Sequence, residues 1–200
     1  MSARIEDYAL IGDTRTAALV ARNGSVDWLC LPRFDSNAPF AALLGTADNG
    51  RFSVAPAGGV RRITRTYRGD TLVLQTDFET EDGAIRLIDF MPPGVDRPSL
   101  VRIVQGLSGR VPVHLELVIR FQYGSEIPWV RRVGHALVAV AGPDGLALHT
   151  PVATHGVRFR TIADFEVSAG DRVPFTLSWF ASHERIPSKP SPFDLERQTD

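Results

Sequence analysis

The residues best placed to do chemistry are Pro32-Arg33-Phe34-Asp35, which combine a rigid ring, a guanidinium, an aromatic face and a carboxylate. They follow two strand-like runs that flank Asn23-Gly24, the dipeptide that most readily supplies both positive φ angles of a tight hairpin turn. A loop of this composition at the end of a hairpin is suited to contact a sugar or another domain. The alternative is that Arg33 and Asp35 pair with each other and merely hold a tight turn, which contributes little if the pair is exposed.

A second set of candidate residues lies between Tyr123 and Trp129, a segment that the sequence predicts to be a loop between two strands. Loops carry binding and catalytic residues more often than strands do. Tyr123 and Trp129 are suited to stack on a sugar ring or to anchor a neighbouring domain, as aromatic residues do at interfaces. We favour the domain contact over the sugar.

No residue pattern predicts catalysis within this chain. Two carboxylates at a set separation would be needed for glycoside hydrolysis, but the acid cluster of Asp77, Glu79, Glu81 and Asp82 follows period two and predicts a solvated strand end. The five histidines have no metal-ligand spacing, and Cys30 lies in an apolar run that predicts a packed thiol. Nucleophile-elbow and phosphate-loop motifs are absent from the sequence. We therefore expect no catalytic residue, metal or cofactor here.

Composition narrows the class of partner. A net charge of −1 over 200 residues gives no long-range attraction to nucleic acid or anionic lipid, so both are disfavoured as partners. The sequence has no apolar run of membrane-spanning length, and its charged N-terminus is unlike a signal peptide. A single cysteine excludes an intrachain disulfide. We expect a cytoplasmic protein.

The hydrophobic pattern predicts an all-β fold. Apolar residues alternate with polar ones from Val113 to Phe121, from Val157 to Val167 and from Val173 to Trp179, which indicates strands with one buried face. A further hairpin is predicted around Asp82-Gly83, and one short helix over 38–44. About a dozen strands at this spacing are typical of a large antiparallel β-sandwich.

The C-terminal residues break the strand pattern. Pro187 and Pro190 punctuate a linker that cannot pair into a sheet, and Ser191-Pro192 has the sequence of a helix N-terminus. We therefore predict a sandwich domain over residues 1–186, followed at 187–200 by a linker and the start of a helix. A helix this short is marginal in water unless it packs on another element, so we expect it to lead into an absent helical segment.

Several motifs together resemble one known family. They are Ile5-Glu6-Asp7-Tyr8-Ala9-Leu10-Ile11-Gly12-Asp13, NGSVDWLCLPRFDS, Tyr67 to Leu74, Leu87 to Pro93, and Phe121 with Tyr123-Gly124 and Pro128-Trp129-Val130. This combination resembles the N-terminal domain of bacterial trehalases and glucoamylase-like enzymes of glycoside hydrolase family 15. The likeness spans nearly the whole chain and is highly specific.

The resemblance implies a β-supersandwich followed by a catalytic barrel of paired α-helices. In that family the two catalytic glutamates of an inverting mechanism lie in the barrel, so no catalytic residue carries over to this sequence. The expected partner is then a helical catalytic domain of the same polypeptide, with the loop at 32–35 near the domain junction and the entrance to the active site.

Two alternative functions, each of a different class, stay open at this point. The chain could be a free-standing carbohydrate-binding module with an α-glucoside ligand, in which case Trp129 would contribute to binding. It could also be a structural domain that buries one sheet face in a homo-oligomer.

Overall fold

Antiparallel strands make up most of the protein in the computed structural model, which describes residues 4–189 and 191–199. The strands are β1 Tyr8–Gly12, β2 Ala17–Ala21, β3 Ser25–Leu29, β4 Arg51–Pro56, β5 Val60–Tyr67, β6 Leu74–Thr80, β7 Gly83–Phe90, β8 Ser99–Val118, β9 Trp129–Val133, β10 Ala136–Ala141, β11 Asp144–His149, β12 His155–Val157, β13 Arg160–Ser168 and β14 Arg172–Ala181. One α-helix, α1, covers Pro192–Thr199, and short 3-10 turns cover Ile5–Asp7, Ala42–Leu44, Ala47–Asn49 and Gln122–Gly124. The all-β prediction is confirmed. Pro190, predicted as a linker residue, lies outside the described residues.

The strands form two layers that share β8. One layer has the order β1-β2-β3-β4-β8-β13-β12, and the other has the order β5-β6-β7-β8-β14-β11-β10-β9. Residues 99–109 of β8 pair with β7 and β14, whereas residues 110–118 pair with β4 and β13. The long strand therefore passes from one sheet into the other and holds the two layers in register.

Glycine is required where β8 changes sheets. The backbone of Gly106 passes so close to β13 that a Cβ there would lie 1.9 Å from the carbonyl oxygen of Ser168. Gly109 has a φ of +64°, in the left-handed region that glycine occupies without steric cost. These two residues permit the bend that a continuous alternating strand would not make.

Phenylalanine rings fill the space between the sheets. Phe52 of β4 and Phe175 of β14 come from opposite layers and meet edge to face, with ring centroids 6.4 Å apart. Phe40 extends the cluster on one side, 6.5 Å from Phe52, and Phe165 on the other, 5.7 Å from Phe175. The inward faces of both sheets thus share one core.

A buried arginine links the first hairpin to this core. Arg102 of β8 and Asp89 of β7 have fully buried side chains and form a bidentate pair, with Nε 2.7 Å and Nη2 3.1 Å from the carboxylate oxygens. Arg102 also donates to the carbonyl oxygens of Phe52 and Gly24. Its guanidinium therefore joins β7 and β8 to β4 and to the turn between β2 and β3.

The hairpin at Asn23-Gly24 is confirmed, but its turn type differs from the prediction. Gly24 has a φ of +84°, while Asn23 is absent from the residues with positive φ. The amide of Gly24 donates to the carbonyl of Ala21 at 3.0 Å, and the register shifts by one residue between Leu19 and Val20. The turn is therefore the three-residue form that ends in a left-handed glycine.

The predicted helix over 38–44 is wrong. A single 3-10 turn is present at Ala42–Leu44, whereas Phe40 is extended and its carbonyl accepts a hydrogen bond from the amide of Leu29 at 3.1 Å. The amide of Ala41 donates to the carbonyl of Asn49 instead of to a helical partner. Packing of Phe40 on Phe52 outweighs the high helix propensity of the neighbouring alanines.

The predicted strand from Val157 to Val167 is wrong at its start. β12 ends at Val157, β13 begins at Arg160, and Arg158 and Phe159 form the turn between them. Both turn residues have positive φ, +48° and +61°. Neither residue is the glycine or asparagine that normally marks such a turn. The alternating pattern therefore predicted one continuous strand through the two positions.

The C-terminal helix begins as predicted and packs on the sandwich. The amide of Asp194 donates to Ser191 Oγ at 3.4 Å. Glu196 is buried between Arg68 and Arg172, with N–O distances of 3.0 and 2.6 Å. Leu195 adds to the apolar cluster formed by Val73, Ile88, Phe90, Val101 and Ile103. These contacts supply the tertiary packing that a helix of eight residues needs.

Candidate functional site

The loop at 32–35 is held by backbone hydrogen bonds at the end of β3. The Leu31–Pro32 peptide bond is cis. The amide of Phe34 donates to the carbonyl of Arg15 at 3.0 Å, and the amide of Ser36 donates to the carbonyl of Arg33 at 3.0 Å. The loop is therefore fixed against the connection between β1 and β2.

The side chains of this loop reach solvent. Arg33 Nε and Nη2 donate to the two carboxylate oxygens of Asp35 at 3.0 and 3.3 Å, and each side chain is about 70% exposed, at 71% and 72%. Phe34, between them, is 66% exposed. The charged pair thus closes the turn and presents the phenylalanine ring outward, which agrees with the tight-turn alternative for Arg33 and Asp35.

Tyr123 lies next to the 32–35 loop, as it must if the two are to form one site. Its amide donates to the carbonyl of Ala38 at 3.1 Å, and its hydroxyl donates to the carbonyl of Ser36 at 3.4 Å. Its ring packs on Trp28, with centroids 6.0 Å apart. The structure therefore brings Tyr123 and the 32–35 loop together. We call this surface, formed by residues 13–16, 31–38 and 121–126, the loop end.

The connection between β1 and β2 completes the loop end. Asp13 is buried and accepts hydrogen bonds from the amides of Arg15 and Thr16, at 2.9 and 2.8 Å. Thr16 Oγ1 donates to the carbonyl of Cys30 at 2.6 Å. Cys30 itself is buried, as predicted, and burial raises the pKa of its thiol. This thiol is a packing group and not an activated nucleophile.

Backbone strain is concentrated at the same end of the sandwich. The non-glycine residues with positive φ among those the structure describes are Thr14, Gln122, Tyr123, Arg158 and Phe159. The first three belong to the loop end. The turn at 158–159 is joined to it through Arg120, whose side chain donates to the carbonyl of Phe159 and whose amide donates to that of Pro39. Left-handed backbone costs a non-glycine residue about 1–2 kcal/mol and is typical of functional surfaces.

The structure does not bring Trp129 into the loop end. Trp129 was predicted in a loop, but it is the first residue of the edge strand β9 and is 81% exposed. It lines a groove of about 540 Å³ between β9 of one sheet and β12 with the 158–159 turn of the other. We call this the edge groove. Phe159, which is 75% exposed, faces the same groove. Sequence reasoning missed Phe159 because it assigned the residue to a buried strand face.

Three of the four carboxylates of the predicted acid cluster form ion pairs. Asp77 pairs with Arg86 across β6 and β7, with Arg86 Nε 2.7 Å from the carboxylate. Glu79 and Glu81 lie within 4 Å of the guanidinium groups of Arg62 and Arg61, at 3.8 and 2.7 Å. Cross-strand pairing of this kind stabilises a sheet.

Two negative findings concern the described residues. Within 4–189 and 191–199, no cluster of three or more histidine, cysteine, aspartate or glutamate side chains is arranged to hold a metal ion. No helix in this part of the chain is long and apolar enough to cross a membrane.

Comparison with known proteins gives one consistent family. Residues 1–172 match the family described as "Trehalase-like, N-terminal". The chain is 32% identical over 152 residues to the trehalase of Thermoplasma volcanium, which covers 72% of this chain and 24% of that protein. It is 29% identical over 167 residues to the trehalase of Thermoplasma acidophilum, covering 80% and 28%. It is 30% identical over 138 residues to the trehalase of Mycobacterium tuberculosis, covering 60% and 20%.

The matched region is a minor part of each relative, since the chain spans about a quarter of the length of the two Thermoplasma trehalases. The family match, in contrast, covers most of this chain and includes both the loop end and the edge groove. The expectation drawn from the sequence motifs is confirmed at this level, and the chain belongs to the trehalase-like N-terminal family.

Proposed function

We propose that the chain is the non-catalytic sandwich domain of a trehalase-like glycoside hydrolase, and that its loop end packs against the catalytic domain beside the active-site entrance. The observation that carries this proposal is the exposed ring of Phe34, whose amide is hydrogen-bonded to the carbonyl of Arg15, on a surface with strained backbone at Thr14, Gln122 and Tyr123. An apolar ring presented in a fixed position by a scaffold is what an interface anchor requires.

Family membership supports the reaction class. The relatives are named trehalases, and the chain matches about a quarter of the length of the two from Thermoplasma, which leaves most of their length for other domains. The carboxylates of Asp77, Glu79 and Glu81, in the acid cluster that the sequence offered, are engaged with arginines. The role of this domain is then to bind and position, while α-glucoside hydrolysis belongs to the catalytic domain.

The strain at the loop end fits a contact surface better than a purely structural one. The backbone of Tyr123 is held left-handed by hydrogen bonds to the 36–38 segment, although its side chain stays 45% exposed. A conformation that costs free energy persists only where the surrounding structure holds it, and such positions cluster at binding surfaces.

The test uses the polypeptide that joins this chain to its catalytic domain. Phe34→Ser should lower kcat/KM for α,α-trehalose about tenfold and lower the melting temperature of the joined protein, because it removes an apolar anchor from the interface. The melting temperature of the isolated chain should be unchanged, since Phe34 is exposed there.

Leu107→Ser is the matched control, because Leu107 is an exposed apolar residue at the β8 bend, far along the strand from the loop end. It should leave both kinetics and melting temperature unchanged. Unaltered kinetics and stability of the joined protein with Phe34→Ser would refute the proposed contact. Maltose measured in parallel shows whether the effect depends on the substrate.

A further inference from the structure

The edge groove is flanked by the free edges of both sheets. β9 pairs with β10 on one side and β12 pairs with β13 on one side, and neither pairs with another described strand on its outer side. Free edges present unpaired N–H and C=O groups that can accept an added strand. The groove thus offers backbone hydrogen bonds along its length.

The walls of the groove are apolar and exposed. Trp129 and Phe159 are 81% and 75% exposed, and Val130 and Val157 beside them are also exposed. The floor is formed by Leu117, Ile119 and Leu137. Exposed aromatic and aliphatic side chains that lie together beside a free strand edge are typical of an interaction site.

Three of the four arginines that line the groove have no acidic partner within the described chain, the exception being Arg160, which pairs with Glu116 and Asp48. Arg131 and Arg158 line it and form no ion pair or hydrogen bond through their side chains, and Arg132 donates to the neutral Thr154 alone. Elsewhere, exposed arginines of the sheets are paired, as in Arg61–Glu81 and Arg110–Glu166. No carboxylate lines the groove. The occupant that complements this surface is therefore acidic.

A second copy of the chain is a poor occupant. Antiparallel addition of β9 to another β9 about its central residue would place Arg131 opposite Arg131, with Val130 opposite Arg132. Like charges directly opposite each other in a sheet destabilise the pairing. The charge pattern of this edge thus discriminates against self-association.

We propose that the edge groove binds an extended acidic segment of a partner protein, which adds as a strand to β9. Its carboxylates lie on the face of β9 that carries both Arg131 and Trp129. Its alternate apolar side chains lie on the other face, with Val130, toward Leu137 in the floor and Phe159 across the groove. Arg158 adds positive charge from the opposite wall. This mode obtains affinity from backbone hydrogen bonds and specificity from alternate side chains. It does not depend on the loop end or on any catalytic domain.

Three synthetic heptapeptides test the proposal on the 200-residue chain. The probe is acetyl-Glu-Val-Asp-Ile-Glu-Val-Asp-amide, and the charge control has lysine at each acidic position. The third peptide is the probe with N-methyl groups on alternate residues, which block strand addition. Titration followed by tryptophan fluorescence and calorimetry should show the probe binding at least about tenfold more tightly than either control.

Two matched variants locate the site. Arg131→Glu should weaken binding of the acidic probe about tenfold and weaken its dependence on salt, because it replaces attraction by repulsion. Arg185→Glu makes the same charge change at an exposed arginine outside the groove and should leave the affinity unchanged. Equal melting temperatures show that both variants are folded, and Arg158→Glu provides a second groove variant.

Four results would overturn the proposal. The first is equal affinity for the N-methylated and unmethylated acidic peptides, and the second is absence of binding to the acidic probe. The third is a dimer in light scattering that Trp129→Ala dissociates, which would make a second copy the occupant. The fourth is saturable binding of maltoheptaose that Trp129→Ala removes and the acidic peptide does not displace. None of these results bears on Phe34, so the two proposals fail separately.

Discussion

At the junction of the two sheets, Arg102 is fully buried and donates to Asp89 and to two backbone carbonyls, whereas Arg131 and Arg158 in the edge groove reach solvent without an acidic partner. The same residue type thus has two different roles in one domain. A buried guanidinium needs every donor satisfied, because low-dielectric surroundings make an unpaired charge very costly. An exposed guanidinium stays hydrated and is available to a partner.

The comparison also separates two uses of strained backbone. Tyr123 and Phe159 both have a φ near +60°, at +59° and +61°. The ring of Tyr123 packs on Trp28 and its hydroxyl is hydrogen-bonded, whereas the ring of Phe159 projects into the edge groove. Local contacts therefore offset the strain at the loop end. In the edge groove the turn is held through its backbone, by the hydrogen bond from Arg120 to the carbonyl of Phe159, and the ring is left exposed to a partner.

The largest effect is expected at the buried pair. Arg102→Ala should lower the free energy of unfolding by about 3–5 kcal/mol, because it leaves the Asp89 carboxylate buried without its counter-ion. Urea unfolding followed by circular dichroism measures the change. Arg131→Ala, at an exposed and unpaired arginine, should change it by less than about 0.5 kcal/mol. Similar losses for both variants would contradict the distinction between the two regions.

A smaller effect of opposite sign is expected at the strained turn. Phe159→Gly should raise the free energy of unfolding by about 0.5–1 kcal/mol, because glycine adopts the left-handed backbone without steric cost and little burial is lost. Tyr123→Gly relieves the same kind of strain but loses the contact with Trp28, so no gain is expected there. Thermal denaturation of both variants tests the comparison, and a gain for Tyr123→Gly with none for Phe159→Gly would reverse it.

The smallest effect concerns Arg160, the groove arginine that does have partners. Arg160 and Arg51 both bond Glu116, with N–O distances of 2.7 Å. Burial acts to raise the pKa of Glu116, but hydrogen bonds and charge from the two arginines outweigh it, and the pKa lies below its ordinary value.

A carboxylate with a lowered folded-state pKa contributes stability above its unfolded pKa and loses it as pH falls through the folded value. The stability advantage of the wild type over Glu116→Gln should therefore be present at neutral pH and shrink as pH falls below about 4. Urea unfolding across this range measures the difference. An advantage that grows on acidification would contradict the pairing.

Much of the fold followed from local sequence patterns, and the failures have a common cause. Period-two alternation identified the inward residues of β8, such as Val113 and Leu115, because the face of a strand is set by residue spacing. The capping pattern at Ser191-Pro192 located the start of α1 for the same local reason. The 158–159 turn was not predicted, because its conformation is imposed by the strands around it and not by its own residue types.

The site was only partly predictable. Tyr123 and the 32–35 loop were both selected from composition, and the structure places them side by side through Ser36 and Ala38. Trp129 was grouped with Tyr123 on proximity in sequence, yet it belongs to the other sheet's edge strand. Closeness along the chain is a weak guide where successive loops lead into different layers.

The sequence by itself determined the strand content, the start of the C-terminal helix and the family, because these depend on residue spacing, capping groups and motifs along the chain. The tertiary structure alone decided which charges are satisfied. Arg102 and Asp89 are 13 residues apart, and Arg102 reaches Gly24 across 78 residues, so nothing local marks them as partners. Nothing in the sequence distinguishes Arg131 and Arg158 from Arg102. Their position where two sheet edges meet is what leaves them available to a partner.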